Sequence, residues 1–512
     1  MNTTKTKTDM SQYYLYAAAV QGIQDFIFKT NKLKHIIGAS ELVEQICTSA
    51  FEDFEEEGGE DVVRAAGNIK YIFKDPEACK KAFREFPKKI MTMAPGITVS
   101  QAIAVFEEDA RFGDAVDKVE RMLKVQRNKP PKSVLSGLMG IKRTNNTGLP
   151  ATHEIKEKKD GKDVTTLLDD ATYEKIKACG PDLPLAKKSF GTKVAKSNPV
   201  PEISDITGGN DWIAIVHADG NGVGKVVQAI GKEKGIFSEF SRKLGEATVT
   251  AAQAAFEEVQ YRFYESAVIP IRPVVLSGDD MTVILRGDLA IEYTKAFILA
   301  FEQKTEDLLG DILKQKKVFS DGKIHLTACA GIAFIKSSYP FYYGYQLAEE
   351  LCSHAKKDTK KLSGENNLPD SCLMFHKVQD SFVIDYNTIV DRELTVTDNG
   401  VPHPLFKAGP YYCNAFNGRH TVKELTDLAD RLDKESENGV KSGVRNWISL
   451  RLKGKDKAEQ RRLRMAQVFD ADGAELLECL TRETDGENPT CIAYDVLAYH
   501  TVLNQKTNND RS

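Results

Sequence analysis

Two short apolar runs, Val274-Val275-Leu276 and Met281-Thr282-Val283-Ile284, are separated only by Ser277-Gly278-Asp279-Asp280. Strand-forming residues on both sides of so short a Gly-containing gap predict a tight hairpin, with Ile271 to Leu276 paired to Met281 to Leu285. The hairpin must belong to a sheet, and its tip presents two adjacent carboxylates at the sheet edge. Such neighbours repel each other, so the arrangement is unfavourable without a cation. Mg²⁺ favours carboxylate oxygens together with substrate phosphates. Two such ions, roughly 3.5–4 Å apart, activate an attacking oxygen and stabilise a leaving one.

A third acid belongs to the same sheet. Trp212 to Ala218 reads as an apolar strand, followed directly by Asp219 and then Gly220-Asn221-Gly222-Val223-Gly224-Lys225. A strand that ends in an acid and turns through glycines into a helix offers a carboxylate beside free backbone N–H groups, which suit a metal-bound polyphosphate. By itself a glycine-rich turn is as readily structural. Helices fit Val223 to Ile230, Phe237 to Phe263 and a stretch around Leu289 to Leu309. The strand Ile324 to Phe334 and the helix Tyr345 to Lys356 complete the series. His217 shares a strand face with Asp219 and reads as a packed histidine more readily than as a ligand.

The first hundred residues repeat this order. A strand from Tyr13 leads through Gln21-Gly22 into a helix reaching Leu42 and Ile46. Val62 to Ala66 and Ile69 to Phe73 flank Gly67-Asn68 as a second hairpin, and a helix over Glu77 to Met93 precedes a strand over Ile97 to Phe106. Both halves thus read βαββαβ, the split pattern of a ferredoxin-like sheet, an α+β fold. Between Val125 and Asp211, Lys, Pro, Asn, Thr and Gly accumulate, as in Lys129-Pro130-Pro131-Lys132 and the polar run Thr152 to Thr165. This predicts connecting structure with a little helix and no core. From about Arg392 helical patterns dominate: Val422 to Leu432, Val444 to Leu452, Ala458 to Phe469 and Ala493 to Val502. The expected division is a degenerate palm-like domain (1–127), a connecting segment (128–205), a catalytic palm (206–385) and a helical domain (386–512).

Composition narrows the function classes. With 41% hydrophobic and 28% charged residues the chain should fold, and 512 residues exceed one ordinary core, giving a prior of about three domains. No run approaches the roughly 20 apolar residues of a membrane span, and the N-terminus is too polar for a secretion signal. The nine cysteines form no C-x-x-C pair, which indicates neither a disulfide framework nor a local zinc knuckle, and a cytoplasmic location is expected. A net charge of −4 leaves any grip on nucleic acid to a local patch. The best basic stretch runs from Arg451 through Lys453, Lys455, Lys457, Arg461 and Arg462 to Arg464, as either a solvated helix surface or a partner or RNA contact.

The segments YLYAAAVQGIQDFIFKTNKLKHIIGASELVE, TGLPA, HADGNGVGK, VVLSGDDMTVIL and TACAGIAFIKSSYPFYYGYQLAEELCSHAKK together resemble the large polymerase subunit of type III CRISPR complexes. The likeness runs to about Phe382. It implies two palm domains of the fold of GGDEF-type and adenylyl cyclases. It also implies conversion of ATP, with Mg²⁺ or Mn²⁺, into a cyclic or short oligoadenylate in antiviral defence, by 3′-hydroxyl attack on an α-phosphate and release of pyrophosphate. Carried over, Asp219 and Asp279, with Gly220 beside them, would hold metal, and Asp280 would be a ligand or help deprotonate the hydroxyl. The backbone of Asn221, Gly222, Val223 and Gly224 would cradle phosphates. Ser277-Gly278, in place of the family's glycine pair, would set how closely phosphate approaches. Lys356 would contact the triphosphate, or else be a solvated helix end.

The first copy has Gln21-Gly22 and Gly67-Asn68 where acids would be needed, so it reads as catalytically dead, with a second nucleotide near Gly38-Ala39-Ser40. None of the nine histidines is followed by Asp, which implies no His-Asp nuclease module. An alternative role is an RNA-binding scaffold subunit whose synthesis is switched on by target RNA. Companion CRISPR subunits and RNA are then partners, and the choice between a single chain and a homo-oligomer stays open. A diguanylate cyclase fits less well, because that signature has Glu and Phe after the first acid whereas this chain has Asp280-Met281.

Overall fold

Strand β1 (Gln12–Gln21) sends Leu15, Ala17 and Ala19 into one hydrophobic core and Tyr16 and Ala18 into another, so its sheet is covered on both faces. The computed structural model describes residues 12–65, 67–107, 112–128, 140–159, 162–180, 183–191, 203–207, 212–231, 233–263, 268–379, 385–416, 418–435, 439–484 and 489–503. After β1 come α1 (Ile23–Phe28), α2 (Leu33–Cys47), the single turn α3 (Ser49–Glu52), β2 (Glu60–Ala65), β3 (Asn68–Phe73), α4 (Pro76–Met93), β4 (Thr98–Glu107) and α5 (Phe112–Arg127). The first four strands form an antiparallel sheet in the order β2-β3-β1-β4, the ferredoxin-like arrangement. Helix α4 starts where the side chain of Asp75 accepts from the N–H groups of Glu77 and Ala78, with Pro76 in the first turn.

The second unit comprises β7 (Trp212–Asn221), α9 (Val223–Ile230), α10 (Lys234–Val259), β8 (Ile271–Ser277), β9 (Asp280–Arg286), α11 (Ala290–Lys316), β10 (Thr327–Lys336), α12 (Phe341–Ser363) and β11 (Cys372–Lys377). Its sheet runs β14-β11-β10-β7-β9-β8, with β14 (Tyr411–Tyr412) supplied by the C-terminal part and β11 parallel to β10. Trp212, Ala214, Val216 and Ala218 face one core, while Ile213 and Ile215 face the other. The architecture is α+β, with two palm-type sheets.

Several details depart from the sequence reading. The first hairpin pairs Ala65 with Asn68, so Asn68 is not in the turn but begins β3, fixed there by its partner Ala19. Strand β7 runs past Ala218 through Asp219 to Asn221, because Gly220 and Asn221 pair with Ala328 and Thr327 of β10. The segment expected to lack a core carries the hairpin β5 (His153–Lys159) and β6 (Lys162–Leu168), then α6 (Asp170–Ala178), α7 (Pro184–Phe190) and α8 (Ile203–Thr207); Leu185 and Phe190 are buried in the main core. Lys129-Pro130-Pro131-Lys132 lies outside the described residues.

Following α13 (Tyr386–Ile389), a short hairpin β12 (Val396–Asp398) and β13 (Val401–His403) precedes the helices. These are α14 (Val422–Lys434), α15 (Val440–Arg451), α16 (Lys455–Val468), α17 (Ala471–Thr481) and α18 (Ala493–Leu503), of which α17 has no counterpart in the sequence reading. The basic stretch is not one surface. Arg451 is 1% exposed and bonds Asp398 and Glu483, Arg462 pairs with Glu459, and Lys453, Lys457, Arg461 and Arg464 are exposed. No helix among the described residues is long and apolar enough to cross a membrane.

Candidate active site

Register brings the acids together. Asp219 on β7 lies directly opposite Asp280 on β9, and His217 lies opposite Thr282, so all four side chains share one sheet face. Ser277 pairs with Asp280 across the second hairpin, leaving Gly278-Asp279 as the two-residue turn. Gly278 has φ +66° while Asp279 is not in the left-handed region, the pattern of a type II′ turn. The turn is fastened twice: Gly220 N–H donates to the Asp279 carbonyl at 3.1 Å, and Thr248 Oγ1 of α10 donates to the Gly278 carbonyl at 2.6 Å. Only glycine fits at 220. A Cβ there would stand 2.8 Å from Asp279 Cβ and 3.0 Å from its Oδ2.

Helix α12 lies over this face, with Tyr345, Glu349, Cys352 and Lys356 along one stripe. Lys356 Nζ donates to Asp219 Oδ2 at 2.5 Å and to the Gly220 carbonyl at 2.8 Å. Burial opposes its charge, but Asp219 outweighs that and holds the ammonium above its ordinary value. Burial, and then the charge of Asp219, push Asp279 up to about 7 and Asp280 up to about 8. Asp280 keeps about a third of its side chain accessible, 34%, yet its Oδ1 is sealed and has no hydrogen-bond partner among the described residues. His217 Nδ1 stands 3.4 Å from that oxygen and 3.1 Å from Thr282 Oγ1; burial lowers its pKa.

These features fit a divalent cation. Three carboxylates meet at one end of the sheet, two are held towards neutrality by burial and by the charge of Asp219, and one oxygen has no hydrogen-bond partner among the described residues. Among the described residues no set of three or more His, Cys, Asp or Glu side chains is already closed around a metal-sized centre.

The other candidate residues are placed variously. Gly222, in the left-handed region at φ +85°, caps α9, whose first turn carries Val223 and Gly224; the first N–H groups of a helix have no intrahelical acceptor. Nothing lies within 4 Å of a Cβ at Gly224. Asn221 is used otherwise: its side chain is buried, donates to Thr327 Oγ1 and Cys329 Sγ, and its backbone sits in the β7–β10 ladder. Ser40 is buried on α2 with its hydroxyl given to the Ile36 carbonyl. Gly38 faces α6, where a Cβ would stand 1.7 Å from the Lys175 carbonyl oxygen, so helix packing accounts for it.

A cavity of about 310 Å³ joins the two sheets, with Gly22, Ser40 and Gly67 on one side and Ser277, Asp280 and Tyr345 on the other. Tyr345 stacks on Phe28 at 4.5 Å and accepts from Gln24 Nε2 at 2.7 Å, tying α12 to α1. Thr248 and Tyr345 were missed by the sequence reading. The only signal was the helical spacing that puts Tyr345 and Lys356 on one stripe.

Register also identifies the first sheet's counterpart. Ala19 pairs with Asn68 as Asp219 pairs with Asp280, and Val20 N–H donates to the Gly67 carbonyl at 2.8 Å as Gly220 does to Asp279. The positions matching the three acids are therefore Ala19, Gly67 and Asn68, with Ala19 and not Gln21-Gly22 as the counterpart of Asp219. None of the three carries a charge.

Residues 212–363 match the family model described as Cas10/Cmr2, second palm domain. Comparison with curated proteins gives no match. Among solved structures, Csm1 of T. onnurineus superposes with a TM-score of 0.57 at 14% identity, covering 97% of this chain and 70% of that one. A Csm1-Csm4 cassette in complex with cA3 gives 0.54 at 14% identity, with the same coverage. A Csm1-Csm4 cassette in complex with AMPPNP gives 0.53 at 14% identity, again covering 97% and 70%.

Proposed function

From a chain whose residues 212–363 carry a Cas10/Cmr2 second palm domain, we propose a palm-type nucleotidyltransferase that condenses ATP into a cyclic or short oligonucleotide signal. The observation that carries this reading is the convergence of Asp219, Asp279 and Asp280 at one end of the sheet, with the sealed Asp280 Oδ1 lacking a hydrogen-bond partner among the described residues. Similar folds have been solved with AMPPNP, cA3 and pppApA, which supports adenine nucleotides as substrate class.

Asp219, Asp279 and Asp280 would hold a divalent cation, Mg²⁺ or Mn²⁺, which when bound supplies positive charge at the phosphates. The protein's own part is positional. The first turn of α9, at Val223 and Gly224, offers N–H groups to phosphate oxygens, and Lys356 shifts from Asp219 towards the triphosphate. Ser277-Gly278 shape the approach along the hairpin. The 3′-oxygen of one nucleotide forms a bond to the α-phosphorus of another, the bond to pyrophosphate breaks, and the hydroxyl proton passes to a carboxylate, in this reading Asp280. Asp279→Ala, Asp280→Ala should lose Mg²⁺-dependent pyrophosphate release; full turnover in that variant removes these residues from the mechanism.

A second reading makes the chain a complex subunit active only with target RNA, and the pairing of Csm1 with Csm4 in the solved cassettes favours it. Mass spectrometry of products formed from ATP with and without RNA decides between them. An oligoadenylate made by the chain alone supports a standalone synthase, and product only with RNA and companion subunits supports the gated form.

A further inference from the structure

The catalytic hairpin is gripped from outside its own domain. Strand β8 is the edge of its sheet, so carbonyls on its outer side have no strand to pair with. Lys188, on α7 of the segment between the two palms, donates from Nζ to the Leu276 carbonyl at 2.9 Å, one residue before the Ser277–Asp280 tip. The same Nζ donates to Glu44 Oε1 of α2, in the first palm, at 3.0 Å. The lysine is itself fixed, because Gln253 of α10 donates to its backbone carbonyl at 2.9 Å. One turn earlier Leu185 N–H donates to both carboxylate oxygens of Glu41 at 3.3 Å, so α2 and α7 meet through two contacts, each one turn apart.

We infer that Lys188 is a positioning residue: its ammonium joins the first palm to the edge strand of the catalytic hairpin and sets where Asp279 and Asp280 stand. The inference deepens the nucleotidyltransferase reading and rests on it for the catalytic consequence. Physically, an ammonium has three donors and no acceptor, so one Nζ serves two acceptors on different domains. Remove it and Glu44 and the Leu276 carbonyl each lose a partner at the junction, freeing the hairpin's edge to move relative to β7. Lys188 does not reach the reacting atoms, so substrate affinity should change little.

The experiment compares Lys188→Met and Lys188→Arg in the full-length protein, with whatever companion subunits and RNA wild-type turnover requires. Lys188→Met should lower kcat about 10- to 100-fold, as misplacement near 1 Å does, with KM within about twofold. Lys188→Arg, which keeps the charge and the donors, should restore most of kcat. Hydrogen–deuterium exchange of the peptide spanning residues 276–281 should rise in the Met variant, with thermal unfolding confirming that the rest is folded. Wild-type kcat in Lys188→Met overturns the inference, and so does unchanged exchange at 276–281. If the wild-type protein releases no pyrophosphate at all, the proposed function fails, while the exchange comparison still decides whether Lys188 holds the hairpin.

Discussion

Gly220 offers the sharpest test of the geometry, because Gly220→Ala adds one methyl group at a known distance from a proposed ligand. An alanine Cβ at 220 would stand 2.8 Å from Asp279 Cβ. Carbon atoms pack best at about 3.5–4.0 Å, so at least about 0.7 Å must be found. Strand β7 is central and held by β9 and β10, which leaves the hairpin tip to move. Moving it stretches the Gly220 N–H bond to the Asp279 carbonyl from 3.1 Å to near 3.8 Å, beyond useful hydrogen-bonding length. Overpacking of this kind destabilises by about 1–3 kcal/mol, and displacement of a catalytic carboxylate by this amount lowers turnover about 10- to 100-fold.

Two neighbouring glycines serve as controls for stability alone, since both also belong to the proposed phosphate-binding surface. Gly278→Ala meets no atom within 4 Å but must adopt φ +66°, destabilising by about 1–2 kcal/mol without pushing on Asp279. Gly224→Ala meets nothing and lies in a helix, so it should be neutral or stabilising by up to about 1 kcal/mol. Pyrophosphate release, Mn²⁺ affinity by calorimetry and thermal unfolding together give the readout. Wild-type turnover and Mn²⁺ affinity in Gly220→Ala would refute the reasoning.

Lys356→Met removes a charge-assisted donor worth about 1.5–3 kcal/mol and should raise KM for nucleotide at least about tenfold, with Lys357→Met, one position on and exposed, as the unaffected control; an unchanged KM assigns Lys356 to Asp219 alone. The pH dependence follows from the raised Asp279 and Asp280. Between the ordinary carboxyl value of 3.8 and the folded values of about 7 and 8, the folded protein keeps protons that the unfolded chain has released. Stability in EDTA should therefore fall as pH rises across that window and level off above about 8. Mg²⁺ favours the ionised forms and should raise Tm more at pH 8 than at pH 5.5. A Tm difference between wild type and Asp279→Asn, Asp280→Asn that shows no pH trend in EDTA counts against the shifted carboxyls.

The hairpin was legible because everything that makes it is local: two apolar runs and a turn with glycine at the position needing positive φ. What the sequence withheld was set by partners far along the chain. β7 extends to Asn221 only because β10 pairs with it there, and that turns Asn221 from a phosphate-loop residue into a buried bond to Thr327 and Cys329. The β5–β6 hairpin carries only a few apolar residues, Ile155, Val164, Leu167 and Leu168, among many charged ones, so its periodic apolar signal is weak and its pairing identifies it. Thr248 and Lys188 reach the hairpin across 30 and 88 residues respectively, and no local pattern distinguishes such a threonine or lysine from its neighbours.

The two palms together show which features of the site are architecture and which are chemistry. Both sheets keep the same cross-strand register, the same N–H to carbonyl bond onto the hairpin turn, and a left-handed glycine, Gly22 or Gly222, at the start of the following helix. Those elements build a ferredoxin-like sheet edge whether or not it reacts. The acids stand only on the second sheet. At the matching positions Ala19, Gly67 and Asn68 provide no charge to hold a cation, and α1 approaches α12 instead, where Gln24 and Phe28 contact Tyr345. The uncharged turn at Gly67 closes one side of the cavity that Ser277 and Asp280 close on the other. The first palm therefore contributes a wall and, through Glu44 and Lys188, a brace, and both act on the second palm's hairpin. A sheet without carboxylates at the matching positions thus still has a physical part to play, because the acidic hairpin of the proposed site is positioned against it.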